Sequence, residues 1–314
     1  MNPPWARRTS GSGMDTHLLF AVTRAERFKK GSLRGPAATI QGVEREFVRW
    51  IAERADAVGD DCAVLDCEPW GALLVTVDGV IDGIHLRREQ HGLQAFGYKA
   101  VARGLSDIAA MGGEPLWAVL AATLPRGAPV DDAKAVFLGA EDAGCRIVGG
   151  DTATGPVLSV TATVLGKAPA RGAVLRSGAR VGDWIVATGS FGRSLATGHH
   201  ATFQPRVAEA RALLERCDVG AMIDVSDGLS TDLLHIVEAS GVGCRLDGRA
   251  VPRRDRASLQ EALDDGEDYE LLATVRPGTL PDGFRRIGEI TESDAVLVAD
   301  GEHALVAGGW EHGA

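Results

Sequence analysis

The chain has no excess of positive charge: 43 Asp and Glu against 33 Lys and Arg leave a net charge of −10 over 314 residues. Such a surface repels polyanions, and no basic patch with interleaved aromatics interrupts it, which argues against nucleic acid as a partner. Also missing is any apolar run near the roughly 20 residues that span a bilayer. The apolar stretch 18–22 is too short for a secretory core. No Cys-x-x-Cys occurs: Cys62, Cys67, Cys145, Cys217 and Cys244 are odd in number and irregular in spacing. That argues against a disulfide framework or a zinc site and makes a reducing cytoplasm the simplest compartment. The common phosphate-binding fingerprints are absent as well. Gly166-Lys167 is followed by alanine rather than Ser or Thr, and no Gly-x-Gly-x-x-Gly opens a helix. No nucleophile elbow and no His-Glu-x-x-His appear.

What is present is length and apolar content enough for two cores, with 45% hydrophobic residues. Residues 1–41, rich in Arg, Gly, Ser and Pro, read as an N-terminal extension that is disordered or loosely attached. Apolar positions 43, 47, 50 and 51 have helix spacing. Helices are expected at 94–111, 130–143, 206–216 and 229–239. Strands are expected at 73–78, 117–124, 157–165, 184–188, 221–225, 243–247 and 270–275, with a last pair near 286–300. The predicted fold class is therefore α+β, in two mixed α/β domains, 42–168 and 169–314.

The acids fall where these elements end. They occur as Gly59-Asp60-Asp61, Thr76-Val77-Asp78, Leu105-Ser106-Asp107, Gly149-Gly150-Asp151 and Ile223-Asp224-Val225-Ser226-Asp227. Taken singly, each has a plain structural explanation. Asp107 could pair with Arg103 one helical turn earlier, Ser226 or Asp227 could cap a helix, and Gly149-Gly150 could be a turn. Together, carboxylates framed by apolar strand ends and glycines suit hard divalent cations that bridge to a phosphate chain, with bare backbone N–H groups close to the phosphates.

The ordered set Gly-Asp-Asp-Cys-Ala (59–63), Thr-Val-Asp-Gly-Val-Ile-Asp-Gly-Ile-His (76–85), Leu-Ser-Asp-Ile-Ala-Ala-Met-Gly (105–112), Gly-Gly-Asp-Thr (149–152), Arg-Ser-Gly-Ala (176–179), Ile-Asp-Val-Ser-Asp-Gly-Leu (223–229) and Gly-Glu-Asp-Tyr-Glu-Leu (266–271) resembles the thiamine-monophosphate kinases. These belong to the aminoimidazole ribonucleotide synthetase-like superfamily. The resemblance runs from about residue 44 to 310. It implies ATP-dependent phosphorylation of thiamine monophosphate by in-line transfer, assisted by several Mg²⁺ ions. The metal ligands it implies are Asp61, Thr76, Asp78, Asp107, Asp151, Asp224 and Asp227. Gly150, Asp151, Arg176 and Ser226 would meet ATP, with Asp151, Arg176 and Asp224 at the reacting phosphates. His85, Glu267 and Trp310 would meet the thiamine substrate. A homodimer is implied, the N-terminal domains pairing their sheets. The chain departs from that pattern in short segments at 192–205 and 252–263, in Val77 where a hydroxyl is usual, and in Asp265 where glycine precedes Gly-Glu-Asp. These departures leave a second expectation open: a relative with impaired turnover or an altered acceptor that binds ATP or a thiamine phosphate.

Overall fold

The computed structural model describes residues 60–67, 71–292, 295–298 and 301–309. The expected helix at 43–51, the extension 1–41 and Trp310 lie outside them. Among the described residues, no helix is long and apolar enough to cross a membrane, and all five cysteines are free.

Two sheets organise the chain. The first has the order β1-β2-β5-β3-β4, built from β1 (Ala63–Asp66), β2 (Ala72–Ile81), β3 (Glu114–Pro125), β4 (Ile147–Gly155) and β5 (Ser159–Lys167). All pairs are antiparallel except β3 with β4. On β2, Leu74, Thr76 and Val80 are buried while Val77 is 64% exposed, so alternation sends Thr76 and Asp78 to the covered face. Helices α1 (Arg88–Ala110) and α2 (Val130–Asp142) supply that cover. They cross closely because Gly97 and Gly139 lack side chains. A Cβ on Gly97 would lie 1.8 Å from the Val136 carbonyl oxygen, and one on Gly139 would lie 1.9 Å from that of Gln94. Helix α1 is interrupted at Gly92, whose φ of 76° is left-handed, so its regular part begins close to the expected residue 94.

The second sheet has the order β12-β11-β8-β10-β6-β9-β7. Its strands are β6 (Trp184–Thr188), β7 (Val219–Asp224), β8 (Gly243–Asp247), β9 (Leu271–Val275), β10 (Phe284–Thr291), β11 (Ala295–Val298) and β12 (Glu302–Ala304). Between them run α3 (Ser194–Thr197), α4 (Val207–Arg216), α5 (Leu229–Ser240) and α6 (Leu259–Asp264). Strand β4 is the one long element the sequence did not foreshadow. Its Ile-Val-Gly-Gly-Asp-Thr run has no alternation and is exposed almost throughout, and it is extended because it pairs with β3.

Helix α1 belongs to both halves. Ala100, Val101, Leu105 and Ile108 join the core under the first sheet. Ala109 and Ala110 pack with Val186, Met222, Leu271 and Ala273 of the second. Ala102 meets Phe203 and Tyr269. Small residues on that face let the helix lie directly on the second sheet and carry its polar residues into the junction.

Candidate active site at the domain junction

Three acids from three separate segments converge beside α1. Carboxylate oxygens of Asp61, Asp107 and Asp224 lie within 4.8 Å of one another. Asp61 sits in the bend before β1, Asp107 in the last turns of α1, and Asp224 at the end of β7. Thr76 on β2 donates its hydroxyl to Asp107, and Ser106 donates to Asp224 at 2.6 Å. Arg176 holds Asp61 through two nitrogens, Nη2 at 3.0 Å and Nε at 3.3 Å. The adjacent Asp60 accepts from the Arg176 backbone N–H at 2.7 Å. The doubled acid therefore divides its work, one carboxylate on the guanidinium and the other on the backbone of the same residue.

Burial, together with the neighbouring Asp61, pushes the Asp224 carboxyl up to about 8. Burial, then Asp78 and Asp224, raise Asp107 well above the usual carboxylate range. Like charges this close cannot all ionise without a cation among them. The donor set is all oxygen, the preference of a hard divalent ion, so the residues present fit magnesium.

Asp78 lies near this group on β2 but is paired with Arg103, Nη2 to Oδ1 at 2.8 Å. The helical-turn pairing of Arg103 with Asp107 weighed from sequence is thus replaced by a pairing across to the sheet. Asp227 stands on the loop after β7, where its carboxylate joins Asp232 and His235 within 4.8 Å. Asp232 is buried and accepts from the N–H groups of Asp227 and Gly228, at 3.1 and 3.2 Å. It, rather than Ser226 or Asp227, shapes the entry to α5.

A pocket adjoins the acids. Its lining includes His85, Ser226, Asp227, Glu267 and Tyr269, so four of the residues singled out from sequence share one wall. Glu267 and Tyr269 have φ of 58° and 51°, left-handed values that side chains disfavour. Each residue of the Glu-Asp-Tyr-Glu run is held from outside. Fully buried Lys99 pairs with Glu267. Arg254 reaches Asp268 at 2.6 Å. Tyr269 stacks on Phe203 with ring centroids 3.9 Å apart. Arg206 grips Glu270 with two bonds of 2.7 Å. Lys99, Arg206 and Arg254 were not legible in the sequence, because each neutralises an acid distant along the chain.

Gly150 and Asp151 are not in this group. They lie on exposed β4, where Asp151 is in register with Ala121, Thr161 and Gly79. That row is three strand spacings from β2, about 14 Å, and by alternation occupies the open face opposite Thr76 and Asp78. Gly150 has a structural reason of its own, since a Cβ there would lie 2.1 Å from the Leu120 carbonyl oxygen. Gly309, the last described residue, donates its N–H to Thr231 at 3.0 Å beside the Asp227 loop; Trp310 is outside the described residues.

Two sheets sharing one helix, with an acid cluster and an arginine at their junction, define the class to which the chain belongs. Residues 59–168 match the AIR synthase related protein N-terminal domain, and residues 180–299 match the C-terminal domain. Within that class the chain belongs to the thiamine-monophosphate kinase family. It is 38% identical over 270 residues to the thiamine-monophosphate kinase of Salmonella typhimurium, covering 74% of this chain and 81% of that protein. AaThiL, solved in complex with AMPPCP and TMP, is 25% identical with a TM-score of 0.76, covering 86% of this chain and 96% of that one. The thiamine-monophosphate kinase of Stenotrophomonas maltophilia is 30% identical with a TM-score of 0.66, covering 82% and 96%.

Proposed function

We propose that the chain transfers the γ-phosphoryl group of ATP directly to the phosphate of thiamine monophosphate, releasing ADP and thiamine diphosphate. The observation that carries this reading is the junction itself: three converging acids and Arg176 beside a pocket walled by His85, Ser226 and Glu267. Asp61, Asp107 and Asp224, with Thr76, would hold magnesium, and Asp78 and Asp227 flank them. Bound there, magnesium would neutralise the phosphate chain and align it for in-line displacement. Arg176 and Ser226 present donors to the nucleotide phosphates. His85, Glu267 and Trp310 serve the thiamine side. The attacking acceptor oxygen is already anionic, so the residues need supply no general base; their task is to position two polyanions and exclude water.

The working unit in this reading is a homodimer. The open face of the first sheet carries Val77 (64% exposed) and Trp117 (42% exposed) in adjoining rows, an apolar surface suited to a second copy. Pairing there brings Gly150 and Asp151 of one subunit toward the nucleotide on the other. A reducing cytoplasm suits five free thiols.

Asp265 favours a second reading, binding without this turnover, because it adds an acid to the pocket lining. Its carboxylate accepts from the Arg193 N–H at 2.6 Å. ADP release measured with Mg-ATP, with and without thiamine monophosphate, separates the two. Acceptor-dependent release supports the kinase; nucleotide binding with no acceptor-dependent release supports the second reading.

A further inference from the structure

Among the described residues, Arg103 is the one Arg or Lys that lines the junction pocket, whose other acidic or basic walls include Asp227, Asp265 and Glu267. It projects from the middle of α1, one turn before Asp107, and so stands between the acid cluster and the pocket. Two of its nitrogens are used: Nη1 donates to the Gly79 carbonyl oxygen at 2.8 Å, and Nη2 to Asp78 at 2.8 Å. Its Nε is enclosed from solvent and has no partner, the one such buried side-chain nitrogen or oxygen among the described residues.

An enclosed donor on a permanently charged group is costly to leave unspent. Polar atoms buried elsewhere in this fold are met, as Lys99 is by Glu267 and Arg254 by Asp268. Lys99 lies one turn before Arg103 on the same helix, but its charge is already taken. Arg103 is different: its tips are anchored, and the enclosed edge that carries Nε is unpaired. That edge, Nε with a neighbouring Nη, is the one with which a guanidinium takes two oxygens of a phosphate. The anchors on Asp78 and Gly79 fix its plane beforehand, which lowers the cost of ordering it when a ligand arrives.

We infer that Arg103 binds the phosphate of the acceptor, holding the attacking oxygen between the pocket and the acid cluster. This rests on the proposed function and deepens it. The nucleotide phosphates belong to Arg176 on the far side of the acids; Arg103 serves the second anion. It also sets specificity, because an acceptor lacking a phosphate leaves the fork unpaired.

The test compares wild-type protein with Arg103→Met and Arg103→Lys, each checked for an unchanged circular-dichroism spectrum. Binding of thiamine and of thiamine monophosphate is followed by calorimetry, and KM for each substrate by ADP release. Wild type is expected to prefer the phosphorylated ligand by about tenfold or more. Arg103→Met is expected to erase that preference and raise KM for the acceptor by about tenfold or more, with KM for Mg-ATP within about twofold. Arg103→Lys, which keeps charge and loses the fork, should fall between. If Arg103→Met keeps the wild-type preference for the phosphorylated ligand, or weakens both ligands and Mg-ATP alike, Arg103 is a structural anchor and the inference is overturned. Wild-type protein that shows no acceptor-dependent ADP release overturns the function on which the inference rests as well.

Discussion

Asp224, with its carboxyl pushed up to about 8 by burial and then by Asp61, makes the stability of the metal-free protein depend on pH. Between about 4 and 8 the folded chain holds a proton that the unfolded chain has released, so stability declines as pH rises through that window. Without divalent ions, the protein is expected to be less stable at pH 9 than at pH 6, by on the order of a few kcal/mol, and to unfold at a lower temperature. Added Mg²⁺ should close much of that gap, and Asp224→Asn should close it without metal. A gap unaffected by either change would count against the shared cation site. The acids of this cluster were legible in the sequence because the same framing by glycines and apolar strand ends recurs in one order along the chain, although any one of them alone reads as an ordinary turn or cap. Their partners were not. Lys99 and Glu267 are 168 positions apart, and Arg206 and Glu270 are 64 apart. On α1, Lys99 looks like part of a solvated face until the second sheet covers it. Lys99→Met would leave Glu267 in its left-handed backbone with no cation, and chemical denaturation should show a loss of about 3 kcal/mol.

Helix α1 is the element on which the junction depends, since it carries Lys99, Arg103, Ser106 and Asp107 and packs under both sheets. Its closeness to α2 rests on Gly97, so Gly97→Ala should force the pair apart and destabilise the protein by about 2 kcal/mol or more. Reduced ADP release should accompany that loss if α1 sets the spacing of the acids. A Gly97→Ala protein of wild-type stability would mean that the helices can part freely. The periodicity of α1 from residue 94 and the alternation of Thr76 and Asp78 were readable because both elements are amphipathic. Strand β4 was not, since exposed Gly-Gly-Asp-Thr has no buried face and takes its extended form from the register with β3.

For the whole molecule, the proposed dimer is what unites Asp151 on the open face with Asp224 at the junction in one catalytic unit across two subunits. Mixing Asp151→Asn with Asp224→Asn chains by co-expression should therefore restore about a quarter of wild-type activity, because random pairing makes half the dimers mixed, each with one intact site. Activity no higher than that of the separate variants would place both acids in the site of one chain. Two domains could be anticipated from length and the order of motifs, whereas the sharing of one helix by both sheets required the fold, because small residues such as Ala102, Ala109 and Ala110 carry no sign of which surface they meet. The most direct measurement is a phosphorus NMR time course of the protein with Mg-ATP and thiamine monophosphate. The account predicts that the diphosphate resonances of thiamine diphosphate grow in step with those of ADP. ADP accompanied by inorganic phosphate alone, or ATP left unchanged, would contradict it.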